Sequence, residues 1–138
     1  MQTSEFAKLW FKLTKDYKAY MEQNLAPSLT ESQLTVLEVL KENGRMKPSQ
    51  LIPYLATTPA AVTMLLDRME KNELVTRIRD QEDRRIVWIL ITDRGKEEAD
   101  RGIQIRNDFL SAALGRISIH NQNLLVYLLG KITAAGQA

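Results

Sequence analysis

The sequence predicts a mainly α-helical domain with a small β-wing: a winged helix-turn-helix core flanked by N- and C-terminal dimerisation helices. Three observations carry this. Short helical segments and a tight turn lead into a helix over residues 59–71, whose Val62, Leu65, Leu66 and Met69 recur at the helical period. Two β-prone runs, residues 74–79 and 86–91, follow directly and read as a hairpin. The first and last helical segments carry apolar stripes broad enough to bury against a second copy of the chain.

Taken in order, residues 3–24 read as a helix, with Phe6, Trp10, Leu13, Tyr17 and Tyr20 at alternating spacings of four and three. Pro27 disfavours helical geometry at Ala26 and ends it. Thr30 and Gln33 have the spacing of a capping box, and Leu29 and Leu34 that of a hydrophobic staple. The second helix carries Leu34, Leu37, Val39 and Leu40 and stops at Asn43-Gly44. Arg45, Met46 and Lys47 form a connector with the character of a brief edge strand. Pro48 opens a third helix, kept short by Pro53. Ala56 and Thr57 make the turn, Thr58 caps the fourth helix and Pro59 fits its first position.

The outward face of that fourth helix begins with Ala60, Ala61, Thr63 and Met64 before reaching Asp67, Arg68 and Lys71. Short side chains there let a helix lie deep in a major groove. The hairpin's tip region gathers Arg77, Arg79, Arg84 and Arg85 against Asp80, Glu82 and Asp83, a pattern of positioned arginines suited to a narrow minor groove. Thr92 then caps a long helix to about Leu114, with Gly102 inside it at a cost of about 1 kcal/mol relative to alanine. Gly115 ends that helix, and residues 119–134 form the last one, with Leu124, Leu125, Leu128, Leu129 and Ile132 in its stripe. The expected layout is one domain over 1–138, with dimerisation helices at 1–28 and 96–138. The DNA-binding lobe spans 29–95, its helix-turn-helix 48–71 and its wing 74–91.

Composition narrows the function. The 138 residues are 44% hydrophobic and 26% charged, with a formal net charge of +2, so any nucleic-acid contact depends on where charges sit. No secretory signal or membrane span is read, and a cytoplasmic setting is expected. With no cysteine, thiolate catalysis, disulfides and cysteine-based zinc sites are out of reach. The single histidine, His120, has no carboxylate pair, glycine-rich phosphate loop or nucleophile around it, so neither an enzyme nor a cofactor or metal site is expected.

In order and spacing the chain resembles the MarR family of bacterial winged helix-turn-helix regulators. The matching residues are Leu29-Thr30 with Gln33, Val62-Thr63 with Asp67-Arg68, Leu74-Val75 with Arg77, Asp83-Arg84-Arg85, and Ile91-Thr92 with Gly95. The resemblance implies a homodimeric transcriptional repressor on pseudo-palindromic double-stranded DNA. It implies that Thr58, Pro59, Ala60, Ala61, Thr63, Met64 and Arg68 meet the major groove. Arg77 and Arg79 then belong to the wing contact, Arg84 or Arg85 enters the minor groove, and Asp83 braces it. It also implies release by a small aromatic, phenolic or drug-like effector, for which Trp10, Tyr17, Tyr20 and Phe109 are the candidate pocket residues. The competing reading is a winged-helix protein-interaction module without DNA binding. Two departures stand out. The family often has arginine at Met64 and hydroxyls at Ala60 and Ala61, so thymine-methyl contacts and shape are expected to carry more of the readout. The family's glycine after the recognition helix is Glu73 here, and Asn72 is expected to take the left-handed turn in its place.

Overall fold

The computed structural model describes residues 1–134. Its elements are α1 (Thr3–Leu25), α2 (Glu31–Asn43), α3 (Pro48–Leu55), α4 (Pro59–Lys71), β1 (Val75–Arg79), β2 (Val87–Ile91), α5 (Asp93–Leu114) and α6 (Ile119–Ala134). The chain divides into two compact units, Met1–Ile105 and Arg106–Ala138.

The first unit is built around the helix-turn-helix. Leu34, Val36, Leu37 and Leu40 of α2 meet Leu51 of α3 and Val62, Leu66 and Met69 of α4, with Met21 and Leu25 of α1 joining from one side. Leu65, the remaining member of the α4 stripe, packs half-buried against this core. Local chemistry fixes each boundary. Thr30 Oγ1 accepts the Gln33 amide (3.2 Å) while Gln33 Oε1 accepts the Thr30 amide (3.1 Å), so the expected capping box is formed. Gln33 is thereby the one polar side chain buried in the core among the described residues. The C-terminus of α1 has no glycine to close it. Arg101 does so instead, donating to the carbonyls of Asn24 (3.2 Å) and Leu25 (2.9 Å) and to Ser28 Oγ (2.8 Å).

The wing is an antiparallel pair in which Val75 faces Ile91 and Arg79 faces Val87. Met46 adds a third, one-residue strand, exchanging backbone bonds of 3.1 and 2.7 Å with Ile89. The brief edge strand expected of residues 45–47 is therefore present. The left-handed turn after α4 falls elsewhere than expected: Glu73 has φ 63° whereas Asn72 has φ −85°. The reason is tertiary. The backbone must reverse at Glu73 for the Leu74 amide to reach the Met69 carbonyl (2.9 Å) and for Glu73 and Leu74 carbonyls to accept the Thr92 hydroxyl (2.7 and 3.0 Å). Thr92 Oγ1 in turn accepts the Gly95 amide, so Thr92 caps α5 and ties it to the root of the wing.

Gly95 and Gly102 are glycines because α5 runs close to its neighbours. A Cβ at Gly95 would lie 2.2 Å from the Leu74 carbonyl oxygen, and one at Gly102 would lie 2.6 Å from Leu34 Cδ1. Gly102, which helix propensity alone marks as a weakness, thus sits where any Cβ would oblige the Leu34 side chain to shift.

The second unit holds the end of α5 and α6. Gln122 Nε2 donates to the carbonyls of Leu114 (2.9 Å) and Ile117 (3.2 Å), closing the turn, and Ser118 Oγ accepts the Asn121 amide to cap α6. His120 is exposed at that start. No side chain of α6 is buried among the described residues, although Leu124, Leu125, Leu128, Leu129 and Ile132 stripe it.

Candidate nucleic-acid interface

The interface is built on α4. Thr58 Oγ1 accepts the Ala61 amide at 3.2 Å and Pro59 occupies the first turn, so the helix start is held as the sequence predicts. Thr58, Pro59, Ala60, Thr63, Met64 and Arg68 are exposed and Ala61 is half-buried. They form one face, opposite the buried Val62, Leu66 and Met69. Thr63 donates its hydroxyl proton to the Pro59 carbonyl (3.1 Å), which leaves its oxygen as an acceptor for an outside donor. Ala60 and Ala61 offer methyl groups only, and Met64 is 60% exposed. The face is shallow and weakly polar, suited to close approach and apolar contact.

At the tip of the wing, Asp80 organises the backbone without any glycine. Its Oδ2 accepts the amides of Glu82 (3.1 Å) and Asp83 (3.0 Å), and its Oδ1 accepts the indole N–H of Trp88 (3.0 Å). The Trp88 bond, with the Asp83 amide next, holds the Asp80 carboxyl below the usual carboxylate range. Arg79 Nη1 donates to the Arg84 carbonyl at 2.7 Å, closing the loop from its other side.

Asp83 then grips Arg85. Its two oxygens take Nε at 3.0 Å and Nη2 at 3.1 Å, and Oδ1 also accepts the Arg85 amide (3.1 Å). The guanidinium keeps the Asp83 carboxyl well ionised, and the carboxylate raises the arginine further above its ordinary value. Yet the Arg85 side chain is 91% exposed. It is an arginine fixed in direction, with the rest of its N–H donors turned outward. Arg84 is exposed, and Asp83 makes no bond of this kind to it.

Arg77 stands apart from the tip. Its Nη1 lies 2.7 Å from Asp67 Oδ1 and 3.2 Å from Glu70 Oε1, so it fastens β1 to α4. Nothing in the spacing marks Arg77 as different from the other wing arginines, because its partners lie on another element. Trp88 is not singled out in the sequence reading, and Asp80 enters it only as one of the acids set against the wing arginines. An aspartate two and three residues before a pair of turn amides is the signal that points to Asp80.

The four aromatic residues fare differently. Tyr17 and Tyr20 pack against the core of the first unit, while Trp10 is 49% exposed and stacks on Phe6 with centroids 6.5 Å apart. Phe109 is half-buried in the second unit.

A MarR-family model matches residues 29–87, the helix-turn-helix and most of the wing. The HosA transcriptional regulator of Escherichia coli O157:H7 is 30% identical over 110 residues, which cover 80% of this chain and 82% of HosA. The chain belongs to the MarR family. Bacillus subtilis YpoP, an HTH-type transcriptional regulator, is 33% identical over 62% of this chain, and the match spans only 61% of YpoP. The HTH-type transcriptional repressor MdtR of Bacillus subtilis is 27% identical over 79% of this chain and 70% of its own length. In architecture the chain is similar to a mutant of Escherichia coli MarR in complex with operator DNA, with a TM-score of 0.75 at 22% identity over 93% of each chain. As a MarR-family member it is a DNA-binding transcription regulator of winged helix-turn-helix type. Among its described residues no helix is long and apolar enough to cross a membrane.

Proposed function

We propose that this regulator is a dimeric repressor that reads a pseudo-palindromic operator, α4 in the major groove and Arg85 in the flanking minor groove. One observation carries the reading: Asp83 holds a nearly fully exposed guanidinium on the same lobe as a helix face of small residues, and Arg77 fastens the two elements together. Arginine is the side chain the narrow minor groove attracts most strongly. Between Arg84 and Arg85 the brace favours Arg85. Repression is supported by the likeness to MdtR. Dimerisation is supported by Phe6, Leu9, Trp10, Phe11 and Leu13 of α1 and by the leucine stripe of α6, all exposed in the single chain. Apolar surface of this extent on one protein marks an interaction site. Two lobes would then stand about one turn of duplex apart, ~34–36 Å.

An effector that favours a different lobe spacing would release the DNA. A differential affinity of ~1–3 kcal/mol changes occupancy roughly 5- to 150-fold. Aromatic ligands suit the stretch around Trp10, Tyr17 and Tyr20 of α1.

The test is footprinting on genomic DNA with the wild type and the Arg85→Ala and Arg84→Ala variants, with the oligomeric state followed by sedimentation. A protected pseudo-palindrome, lost on Arg85→Ala in an intact dimer and largely kept on Arg84→Ala, is the expected result. A monomer, or no duplex preference at low salt, would refute it.

A further inference from the structure

The outer face of the wing holds a cluster that the groove-reading elements do not use. Trp88 lies on β2 beside the one-residue strand of Met46, and the residues flanking Met46 reach over its ring. The Arg45 guanidinium carbon sits 4.1 Å from the indole centroid and the Lys47 ammonium 5.5 Å from it. Both distances are in the cation–π range. Neither cation makes an ion pair within 4 Å among the described residues.

Contact with the ring face restrains the guanidinium without using its N–H donors in an ion pair. Arg45 is therefore restrained, and it meets Asp80 only at longer range than an ion pair. Beside it is a hollow of about 380 Å³, lined by Arg45, Ile78, Arg79, Asp80 and Trp88 among others. Asp80 shares this hollow, with the indole N–H and two backbone amides already on its oxygens. Glu82, also lining the hollow, is the only other acid there. The cluster adjoins the tip: Arg45 and Lys47 are near enough to favour the ionised forms of Asp80 and Asp83 respectively.

We propose that Arg45 and Lys47, held on Trp88, form a second DNA seat that binds backbone phosphate beside the wing and adds affinity without reading bases. This rests on the DNA-binding reading above. Two cations restrained on an indole and outside any ion pair, next to an arginine aimed at the minor groove, match the charge of the duplex backbone, and phosphate contacts position a protein without carrying sequence information.

The experiment uses the full chain and a labelled duplex that the wild type has selected from a random-sequence pool. Affinity is measured by fluorescence anisotropy across a salt series. The Arg45→Gln/Lys47→Gln variant should lower the salt slope by about 0.9 for each phosphate no longer neutralised, a drop of roughly eight-fold in affinity per phosphate at ~0.1 M salt. The rank order of single-base operator variants should not change. Arg45→Lys/Lys47→Arg should keep the slope. An unchanged slope in the glutamine variant, with selection intact, overturns this proposal alone, as does an altered base preference. Failure of the wild type to enrich any duplex would overturn the DNA-binding reading on which it stands.

Discussion

Replacing Gly95 with alanine sets two effects of opposite sign against each other. Gly95 is the third residue of α5, where helix propensity favours alanine by about 1 kcal/mol. Packing says the reverse. The new Cβ would stand 2.2 Å from the Leu74 carbonyl oxygen and 2.8 Å from Ile91 Cγ1, whereas ordinary contact begins near 3.4 Å. The helix start must therefore withdraw by 3.4 − 2.2 = 1.2 Å. Withdrawal takes Thr92 with it and breaks the bonds from its amide (3.1 Å) and hydroxyl (3.0 Å) to that same carbonyl. Two such bonds contribute about 2 kcal/mol, and overpacking costs about 2 kcal/mol more. Net of propensity, the variant should lose about 3 kcal/mol, which lowers Tm by about 12 °C at this chain length. Thermal unfolding followed by circular dichroism at matched protein concentration is the assay. Gly102→Ala should cost less, since its Cβ meets only the ends of the Leu34 side chain. A Gly95→Ala protein as stable as the wild type, or more so, would refute the reasoning.

Other outcomes follow from the same contacts. Trp88→Phe removes the donor that most lowers the Asp80 pKa, so that pKa should rise toward its ordinary value. A carboxyl held low in the fold stabilises it above the ordinary carboxylate pKa and loses that contribution as pH falls through the lowered value. The variant should therefore begin acid unfolding at higher pH. An Asp80 carboxyl titration by NMR that is the same in both proteins would contradict this. Thr58→Ala should cost about 1 kcal/mol by removing the α4 cap, with Thr58→Ser close to neutral, both read from Tm. Arg77→Ala should weaken the proposed operator binding without changing the oligomeric state, because the wing loses its tie to α4. Arg77→Lys should restore it only in part, having one point charge for two carboxylates.

Features set within a few residues are legible in the sequence. The Thr30–Gln33 box, the Thr58 and Thr92 caps, the short α3 around Pro53 and the hairpin all depend on neighbours along the chain. What escapes depends on partners distant in sequence. Asn72 is the better residue for a left-handed turn taken alone, but the bonds that Leu74 and Thr92 must make put the turn at Glu73. Gly102 reads as a weak point until Leu34 is seen beside it. Arg77 is one of four wing arginines in the sequence, and only the approach of Asp67 and Glu70 separates it from the others. The Asp83 brace is implied by the family resemblance, but the choice of Arg85 over Arg84 comes only from the bonds made; the Trp88 bond that steadies Asp80 behind it spans eight residues and cannot be read from the order.

The Arg77 clamp bears on the grammar of the DNA site. Because β1 is tethered to α4, each half of an operator would contain two marks, one wide-groove and one narrow-groove, at a set interval. On the proposed dimer, the spacer between halves would be negotiable by the two protomers, whereas the interval inside a half would not. A single base pair inserted there would leave the protein able to meet either mark and unable to meet both.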